Sequence, residues 1–310
     1  MRKILIMGAG AVGGWFGGML ARSGADVTFL ARGRQLEAMV SRGLRVESAA
    51  VGEFTVRPAA VERLDGGWTA DLIVYSVKAY HNRDAIELIA PAVGSSTAIL
   101  TLQNGVGGGD QLSEAFGRDT VLLGAAYVEA ARTAPGVVSQ AGSSEIVFGE
   151  ESGAQTERVR KIQSVFERAG VEARASTDIL KDVWSKLVFI CALSGMTCIT
   201  RSTFADVMNT PATRDLAWRV MSEAEAVGRA KGVKLAPDIV DSTMGHFEEH
   251  KEELISSMHA DLRAGNPLEL SVLNGAVSRM GREADVATPA NDFITACLTV
   301  ADNAARAKSA

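Results

Sequence analysis

The chain of 310 residues is long enough for one large domain or two of ordinary size, and its 47% hydrophobic and 22% charged residues are typical of globular proteins. Its net charge of −5 gives no support for binding to nucleic acid or to a membrane surface, for which a basic stripe would be expected. The three cysteines (Cys191, Cys198 and Cys297) lack metal-ligand spacing and lie in apolar segments, which is typical of reduced thiols in the cytoplasm.

One segment near the N-terminus superficially resembles a signal peptide or a membrane span. Residues 4–21 carry no charge and follow Arg2 and Lys3. Six glycines interrupt the segment, a strand pattern precedes them, and Arg22 closes it. We therefore expect neither export nor membrane insertion, and we expect a soluble cytoplasmic protein.

The first half of the chain alternates strand and helix patterns. Strands are predicted at 3–7, 26–30, 72–77 and 97–102, and helices at 11–23, 34–42 and 82–90. Such alternation predicts βαβ units in a right-handed, doubly wound parallel sheet, an α/β fold.

Between residues 121 and 149 the pattern changes to short strands separated by turns at Pro135-Gly136 and Gly142-Ser143-Ser144. This pattern predicts an antiparallel extension of the sheet. A helix over 156–169 and an edge strand over 170–173 would follow.

The second half is predicted to be all-helical. Helices are expected at 178–200, 211–231, 237–264 and 267–282, with a last one from 289, and prolines at 211, 237 and 289 mark first turns. The first of these helices is uncharged over 187–200, and a helix that is apolar all round is buried. The predicted domains are therefore 1–177 and 178–310.

The strongest local motif is a glycine-rich turn between the first strand and the first helix. It has the form G-x-G-x-x-G and consists of Gly8, Ala9, Gly10, Ala11, Val12 and Gly13. The glycines permit a tight turn, a close approach of the pyrophosphate and close helix packing, while the helix N-terminus presents free N–H groups. The motif predicts that a dinucleotide binds at residues 8–13, although an ordinary glycine turn remains the alternative.

The end of the second strand indicates which dinucleotide is bound. An NAD enzyme would carry Asp or Glu there, to bind the ribose 2′-hydroxyl. This chain has Arg32 and Arg34 instead, and guanidinium groups suit a 2′-phosphate. NADPH is therefore the predicted cofactor, with Arg32 as the preferred ligand. The alternative is that both arginines are solvated loop charges.

A series of short motifs, in order along the whole chain, resembles the ketopantoate reductase (2-dehydropantoate 2-reductase) family. The motifs are Gly8–Gly13, Phe29–Arg32, Ser76–Tyr80, Gln103–Gly107, Val183–Leu187, Ile255–Met258, Leu268-Glu269 and Asn274-Gly275. The resemblance implies a Rossmann domain, an all-helical domain like that of 6-phosphogluconate dehydrogenase, and an active site in the cleft between them. It also implies NADPH-dependent reduction of a 2-oxo acid, in pantothenate biosynthesis where the substrate is ketopantoate.

The resemblance further implies roles for single residues. Cofactor contacts would come from Arg32, Lys78, Asn104 and Ala130. Lys186 would be the proton donor, with Glu269 as its acidic neighbour. The substrate would be bound by Asn104, Lys186, Ser194 and Ser257.

Elementary chemistry is consistent with the role of Lys186. Hydride delivery to a 2-oxo acid leaves negative charge on the carbonyl oxygen, which an ammonium stabilises and then protonates. A nearby carboxylate such as Glu269 would keep the lysine charged. The alternatives are a snorkelling lysine at 186, a solvated glutamate at 269 and a turn-forming asparagine at 104.

The chain departs from the family where substrate is bound. Positions at which the family usually presents asparagines are occupied by Ile190, Ser194, Phe204 and Leu254. A pocket without those amides handles a hydroxylated substrate poorly. We therefore expect either ketopantoate or a more apolar 2-oxo acid, branched or aromatic.

Other interpretations carry less support. His246 and His250 lie one helical turn apart, but Phe247 replaces the glutamate of the metalloprotease motif, so a solvated helix face is expected and no metal. The alternative functions are an NADP-linked dehydrogenase of another hydroxy acid and a non-catalytic NADPH-binding regulatory protein. A homodimer is a reasonable expectation for the helical domain.

Overall fold

The computed structural model describes residues 1–309 of the chain. It contains two compact units. The first comprises residues 1–103 and 108–179, and the second comprises residues 104–107 together with the described residues from 180 onward. The sequence predicts two domains that meet at residue 177, and this domain boundary stays a prediction.

The first unit is built on one ten-stranded sheet. Its strands are β1 (Lys3–Met7), β2 (Asp26–Leu30), β3 (Leu44–Ser48), β4 (Gly52–Val56), β5 (Ala59–Val61), β6 (Leu72–Tyr75), β7 (Ala98–Thr101), β8 (Val121–Ala134), β9 (Val137–Gly149) and β10 (Glu172–Ala175). The spatial order is β4-β3-β9-β8-β7-β6-β1-β2-β5, with β10 beside β9. From β5 through to β8 neighbouring strands are parallel, which confirms the α/β fold class.

Five helices connect these strands. They are α1 (Ala11–Arg22), α2 (Gly33–Arg42), α3 (Asn82–Ile89), α4 (Gly108–Phe116) and α5 (Glu157–Arg168). Helix α1 packs on two sides at once. A Cβ at Gly17 would collide with the ring of Phe29 on β2, and one at Gly14 would lie 2.6 Å from Val138 on β9. Gly14 and Gly17 are therefore required by the packing of α1.

The antiparallel extension is confirmed, but its strands are longer than predicted. β8 and β9 form one hairpin whose turn is at Pro135-Gly136, as expected. The second predicted turn, at Gly142, is wrong because that residue continues β9. Gly142 has a positive φ of 61° and lies opposite the register shift between Val128 and Glu129 on β8. The extra residues of β9 at this point form a β-bulge.

Smaller differences occur elsewhere in this unit. Strands β3, β4 and β5 were not predicted, although β3 and β4 alternate apolar with polar residues, because no helix separates these strands as it would in a βαβ unit. β6 ends at Tyr75, two residues earlier than expected. Pro91 lies within a short 3-10 turn, and the edge strand β10 begins at Glu172.

The second unit is helical, as predicted. Its helices are α6 (Ile179–Thr200), α7 (Phe204–Asn209), α8 (Pro211–Ala230), α9 (Ile239–His250), α10 (Ser257–Ala264), α11 (Asn274–Glu283) and α12 (Pro289–Ser309). The predicted helix over 237–264 is wrong in its middle. The chain leaves the helix after His250 and starts again at α10, where the Ser256 hydroxyl accepts a hydrogen bond from the backbone N–H of His259.

Two helix starts in this unit also differ from the prediction, and one helix was not predicted. Pro211 and Pro289 start their helices, but Pro237 lies two residues before α9. Residues 270–272 form a 3-10 turn, so the helix predicted from 267 begins only at α11. Helix α7 was not predicted, and a capping box formed by Thr203 and Asp206 begins it.

Helix α6 is long and apolar enough to cross a membrane by length and composition, with a mean hydropathy of 1.6 over its most apolar stretch. That stretch is 61% buried inside the fold, and the core helix of a water-soluble protein passes the same test. The chain from residue 1 to 309 contains no second helix of this kind.

Candidate active site

The glycine-rich turn follows β1 in the first unit. Gly8 has a φ of 104°, and a Cβ there would lie 2.9 Å from the backbone of Ser76 and Val77. The Ser76 hydroxyl donates to the Gly8 carbonyl at 3.1 Å, which ties the turn to the end of β6. A Cβ at Gly13 would collide with the carbonyl oxygen of Gly8. The fold therefore requires both glycines.

Gly10 differs from these two glycines. Its φ of −84° is open to any residue, and a Cβ there would have no heavy atom within 4 Å. Neither backbone strain nor packing within the chain requires a glycine at this position. Gly10 is also the N-cap residue of α1. Because it has no side chain, it accepts no hydrogen bond from the N–H groups of the first turn, which begins with Ala11 and Val12. An external anion such as a pyrophosphate fits this open helix end.

Two basic side chains lie at the carboxyl edge of the same sheet. Arg32 directly precedes α2 and is exposed, and Arg34 lies in the first turn of that helix. The Nη2 atom of Arg32 lies 3.5 Å from Nε2 of His81, which follows β6. Arg32 and Arg34 are the cationic groups that the sequence assigned to a 2′-phosphate, and the ring of His81 lies beside Arg32.

The other two predicted cofactor residues belong to this unit as well. Lys78 directly precedes the 3-10 turn over 79–81, and its carbonyl accepts a hydrogen bond from the His81 backbone N–H at 2.9 Å. Ala130 lies in β8 opposite Gln140. Their contacts with a cofactor stay predictions.

The second unit brings together three residues that the sequence singled out. The Lys186 ammonium on α6 donates a hydrogen bond to Oδ1 of Asn104 at 2.9 Å, although 82 residues separate them. Glu269 is only 4% exposed, and its charge acts on Lys186. A cation, an amide and a buried carboxylate therefore form one polar cluster.

The electrostatics of the cluster favour a titratable lysine. Burial lowers the pKa of Lys186 to about 8, and the negative charge of Glu269 opposes that effect by raising it. Part of the side chain still meets solvent, yet the surrounding atoms are dense enough for desolvation to dominate. The amine is mostly protonated at neutral pH and able to give up its proton.

A tight backbone contact positions Asn104. Gly105 has a φ of 80°, and a Cβ there would collide with the carbonyl oxygen of Val272. The next residue, Val106, donates its backbone N–H to that same carbonyl at 3.0 Å. Since Val272 follows Glu269 within one short turn, the contact holds the Asn104 and Glu269 segments together.

The predicted substrate serines differ in their environment. Ser194 is 1% exposed and accepts a hydrogen bond from the Ser256 hydroxyl at 3.2 Å. Ser257 is exposed at the first position of α10. Their contacts with substrate stay predictions, and a substrate group at Ser194 would have to compete with Ser256.

The residues at the expected asparagine positions fall into two groups. Ile190 and Leu254 are partly exposed, whereas Phe204 is 1% exposed and packs edge-on against Phe247 with ring centroids 4.6 Å apart. Phe204 is therefore a core residue and does not line an accessible pocket. Ile255, next to Leu254, is 84% exposed, which is unusual for a large apolar side chain.

The rings of His246 and His250 on α9 are tilted by 42° to each other with centroids 4.5 Å apart, and His250 lies 3.4 Å from the carboxylate of Glu253. Within residues 1–309 no group of three or more His, Cys, Asp or Glu side chains is arranged to hold a metal ion.

Sequence reasoning missed two residues that build the site. Gln103 donates from Nε2 to the Val77 carbonyl at 2.8 Å and to Oδ1 of Asn82 at 2.7 Å, which anchors the residue before Asn104. Gly105 permits the backbone contact with Val272. Both belong to the Gln103–Gly107 motif, so their position in that motif was the available signal.

Comparison with known proteins gives consistent matches over most of the chain. Residues 4–153 match the family model described as ketopantoate reductase PanE/ApbA, and residues 178–302 match the model of its C-terminal part. A 2-dehydropantoate 2-reductase of Mesorhizobium japonicum is 33% identical over 321 residues, which cover 96% of this chain and 96% of that protein.

Solved structures are similar as well. The crystal structure of 2-dehydropantoate 2-reductase from Geobacter metallireducens has a TM-score of 0.90 at 31% identity, covering 96% of this chain and 99% of that one. A ternary structure of D-mandelate dehydrogenase with NADH and anilino(oxo)acetate has a TM-score of 0.91, covering 98% and 99%, at 23% identity. At 23% identity, the similarity to D-mandelate dehydrogenase shows a shared fold only.

Proposed function

Because the chain belongs to the ketopantoate reductase family, as its motifs indicated, we propose that it reduces a 2-oxo acid to the 2-hydroxy acid with NADPH, using Lys186 as the proton donor. The observation that carries the proposal is the hydrogen bond from the Lys186 ammonium to Asn104, in a cluster that also contains the buried carboxylate of Glu269.

The residues of the chain account for the proton side of the reaction. Bound nicotinamide would supply a hydride to the carbonyl carbon, which leaves negative charge on the carbonyl oxygen. The Lys186 ammonium stabilises that charge and donates its proton to the oxygen. Asn104 accepts a hydrogen bond from one N–H of the ammonium, which restricts the directions in which the other two N–H bonds point. Glu269 keeps the amine protonated at neutral pH by raising its pKa against desolvation.

The proposed preference for NADPH rests on the first unit. The open position beside Gly10 fits a pyrophosphate, and Arg32 and Arg34 supply guanidinium groups where an NAD enzyme would have a carboxylate. Arg32 is the proposed ligand of the 2′-phosphate because it lies closer to the end of β2.

The proposed substrate is a 2-oxo acid with an apolar side chain. Ile190 follows Lys186 by one helical turn and is partly exposed, so an apolar surface lies beside the proton donor. Ser194, one turn further, has its hydroxyl engaged by Ser256. Because Ser194 is also only 1% exposed, its hydroxyl is scarcely accessible to a substrate hydroxyl group.

The experiment is steady-state oxidation of NADPH and of NADH with ketopantoate, 2-oxoisovalerate, phenylpyruvate and phenylglyoxylate. We expect a lower KM for NADPH than for NADH, and a higher kcat/KM for the apolar acids than for ketopantoate. Ketopantoate turnover equal to that of the best substrate would refute the apolar class. A KM for NADPH no lower than that for NADH would refute the cofactor assignment.

The same assay, extended to a series of 3-oxo acids, addresses the alternatives. Activity confined to 3-oxo acids would favour a dehydrogenase of another hydroxy acid. NADPH oxidation absent across the panel would favour a non-catalytic NADPH-binding protein. The cytoplasmic location and the homodimer stay predictions, the second of which light scattering of the purified protein tests.

A further inference from the structure

We propose that His81 forms part of the binding site for the 2′-phosphate of NADPH, together with Arg32. This inference rests on the proposed use of NADPH and goes beyond it by assigning a second ligand of the phosphate. The observation behind it is that the two side chains come from different parts of the sheet and meet at its carboxyl edge.

The topology explains the meeting. β1, which leads into the glycine-rich turn, lies between β2 and β6 in the sheet. Arg32 follows β2, and His81 lies in the 3-10 turn after β6. The two side chains nevertheless approach to 3.5 Å, between Nη2 of Arg32 and Nε2 of His81. They therefore converge from the two strands that flank the strand of the dinucleotide motif.

The chemistry of the pair indicates an anion. A guanidinium group only donates hydrogen bonds, so His81 presents the lone pair of Nε2 to Arg32 in this arrangement. Two groups that can both carry positive charge gain little from each other in water. Throughout residues 1–309 no carboxylate lies within ion-pair distance of Arg32, which is exposed. A phosphate oxygen would accept from both side chains.

His81 is held in place by its own segment. Its backbone N–H donates to the Lys78 carbonyl at 2.9 Å, and its ring lies edge-on to that of Tyr80, with centroids 4.6 Å apart. The next residue, Asn82, is buried and accepts a hydrogen bond from Gln103 at 2.7 Å. The imidazole therefore approaches Arg32 from an anchored backbone, which limits the entropy lost when a ligand binds.

In the proposed complex the fork of Arg32 and the Nε2 proton of His81 both donate to the 2′-phosphate. The neutral tautomer protonated on Nε2 and the imidazolium ion can each supply that proton. A nucleotide that lacks the 2′-phosphate gains nothing from His81. His81 therefore affects the ratio of the affinities for the nucleotide with a 2′-phosphate and the nucleotide without it.

The test is calorimetric binding of two probes, 2′-phospho-ADP-ribose and ADP-ribose, to the full chain at one pH and one salt concentration. The variants are His81→Ala, Arg32→Ala, the double variant, and, as a basic control, Arg42→Ala, which removes an exposed arginine from the last turn of α2. We expect His81→Ala to weaken binding of the 2′-phosphorylated probe by about tenfold, which is typical of one charge-assisted hydrogen bond, and to change ADP-ribose binding by less than about twofold.

The double variant separates direct contact from positioning. If His81 touches the phosphate, adding His81→Ala to Arg32→Ala weakens binding of the phosphorylated probe further. No further loss, or an equal loss for both probes, would overturn the inference. If wild type binds both probes equally, the proposed use of NADPH fails as well. If wild type discriminates through Arg32 while His81→Ala keeps the same selectivity, only the role of His81 fails.

Discussion

Lys186 and Asn104 are joined by a hydrogen bond of 2.9 Å from the ammonium to the side-chain carbonyl oxygen, across 82 residues of sequence. Asn104 lies in the loop that follows β7, and Lys186 lies in the first half of α6. The bond holds the cation in one orientation beside the charge of Glu269. The account of the reaction depends on this pair.

The first prediction concerns pH. Because burial lowers the pKa of Lys186 to about 8, the ammonium that donates the proton predominates below that pH and is lost above it. We expect kcat/KM for reduction to be level below about pH 8 and to fall about tenfold per pH unit well above it. A profile that stays level up to pH 10 would contradict the assignment.

The second prediction concerns Glu269. Its charge raises the pKa of Lys186, so Glu269→Gln lowers that pKa further and moves the alkaline fall of kcat/KM below pH 8. The control is Glu283→Gln, which changes a glutamate paired with Lys231 at the surface of the same unit and leaves the profile in place. A fall that stays at the wild-type pH, or moves upward, in Glu269→Gln would show that the carboxylate does not act on Lys186.

The third prediction concerns the backbone contact behind Asn104. Gly105→Ala combines a φ of 80° with a collision against the Val272 carbonyl oxygen, whereas Gly232→Ala has a φ of 85° and open space around the new methyl group. The control should lose about 1–2 kcal/mol of stability from backbone strain alone. We expect Gly105→Ala to lower the melting temperature more and to reduce kcat as well. Equal melting temperatures in the two variants would mean that the contact is unimportant.

The fourth prediction separates binding from folding in the glycine-rich turn. Gly10→Ala adds a methyl group in open space, so the melting temperature should stay near that of wild type while dinucleotide affinity falls by about tenfold or more. Gly17→Ala collides with Phe29 and should lower the melting temperature instead. Unchanged affinity for NADPH in Gly10→Ala, measured by fluorescence titration, would remove the proposed pyrophosphate site.

Much of the fold could be predicted because its signals are local. The apolar strand β1, the glycine-rich turn and the helix after it lie within one short stretch, and Pro211 and Pro289 mark helix starts. The break between α9 and α10 was missed because Leu254 and Ile255 continue an apolar pattern, while the cap at Ser256 competes with it. The bulge at Gly142 was read as a turn because glycine with positive φ serves both.

The residues of the candidate site could be predicted from the sequence, but their spatial arrangement could not. Lys186, Asn104 and Glu269 were each singled out through motifs, yet their proximity depends on tertiary contacts such as the one between Gly105 and Val272. The sequence also does not distinguish the buried Phe204 from the partly exposed Ile190, because burial depends on the partner Phe247. The approach of His81 to Arg32 depends on strand order in the same way.

The most direct test of the central claim is single-turnover reduction of the best 2-oxo acid by wild type, Lys186→Ala and the surface control Lys231→Ala, with NADPH affinity measured for each. The account predicts that Lys186→Ala slows the reaction by about 10²–10⁴-fold while NADPH affinity changes by less than about twofold, and that Lys231→Ala behaves as wild type. An undiminished rate in Lys186→Ala, with NADPH and substrate bound, would contradict Lys186 as the proton donor.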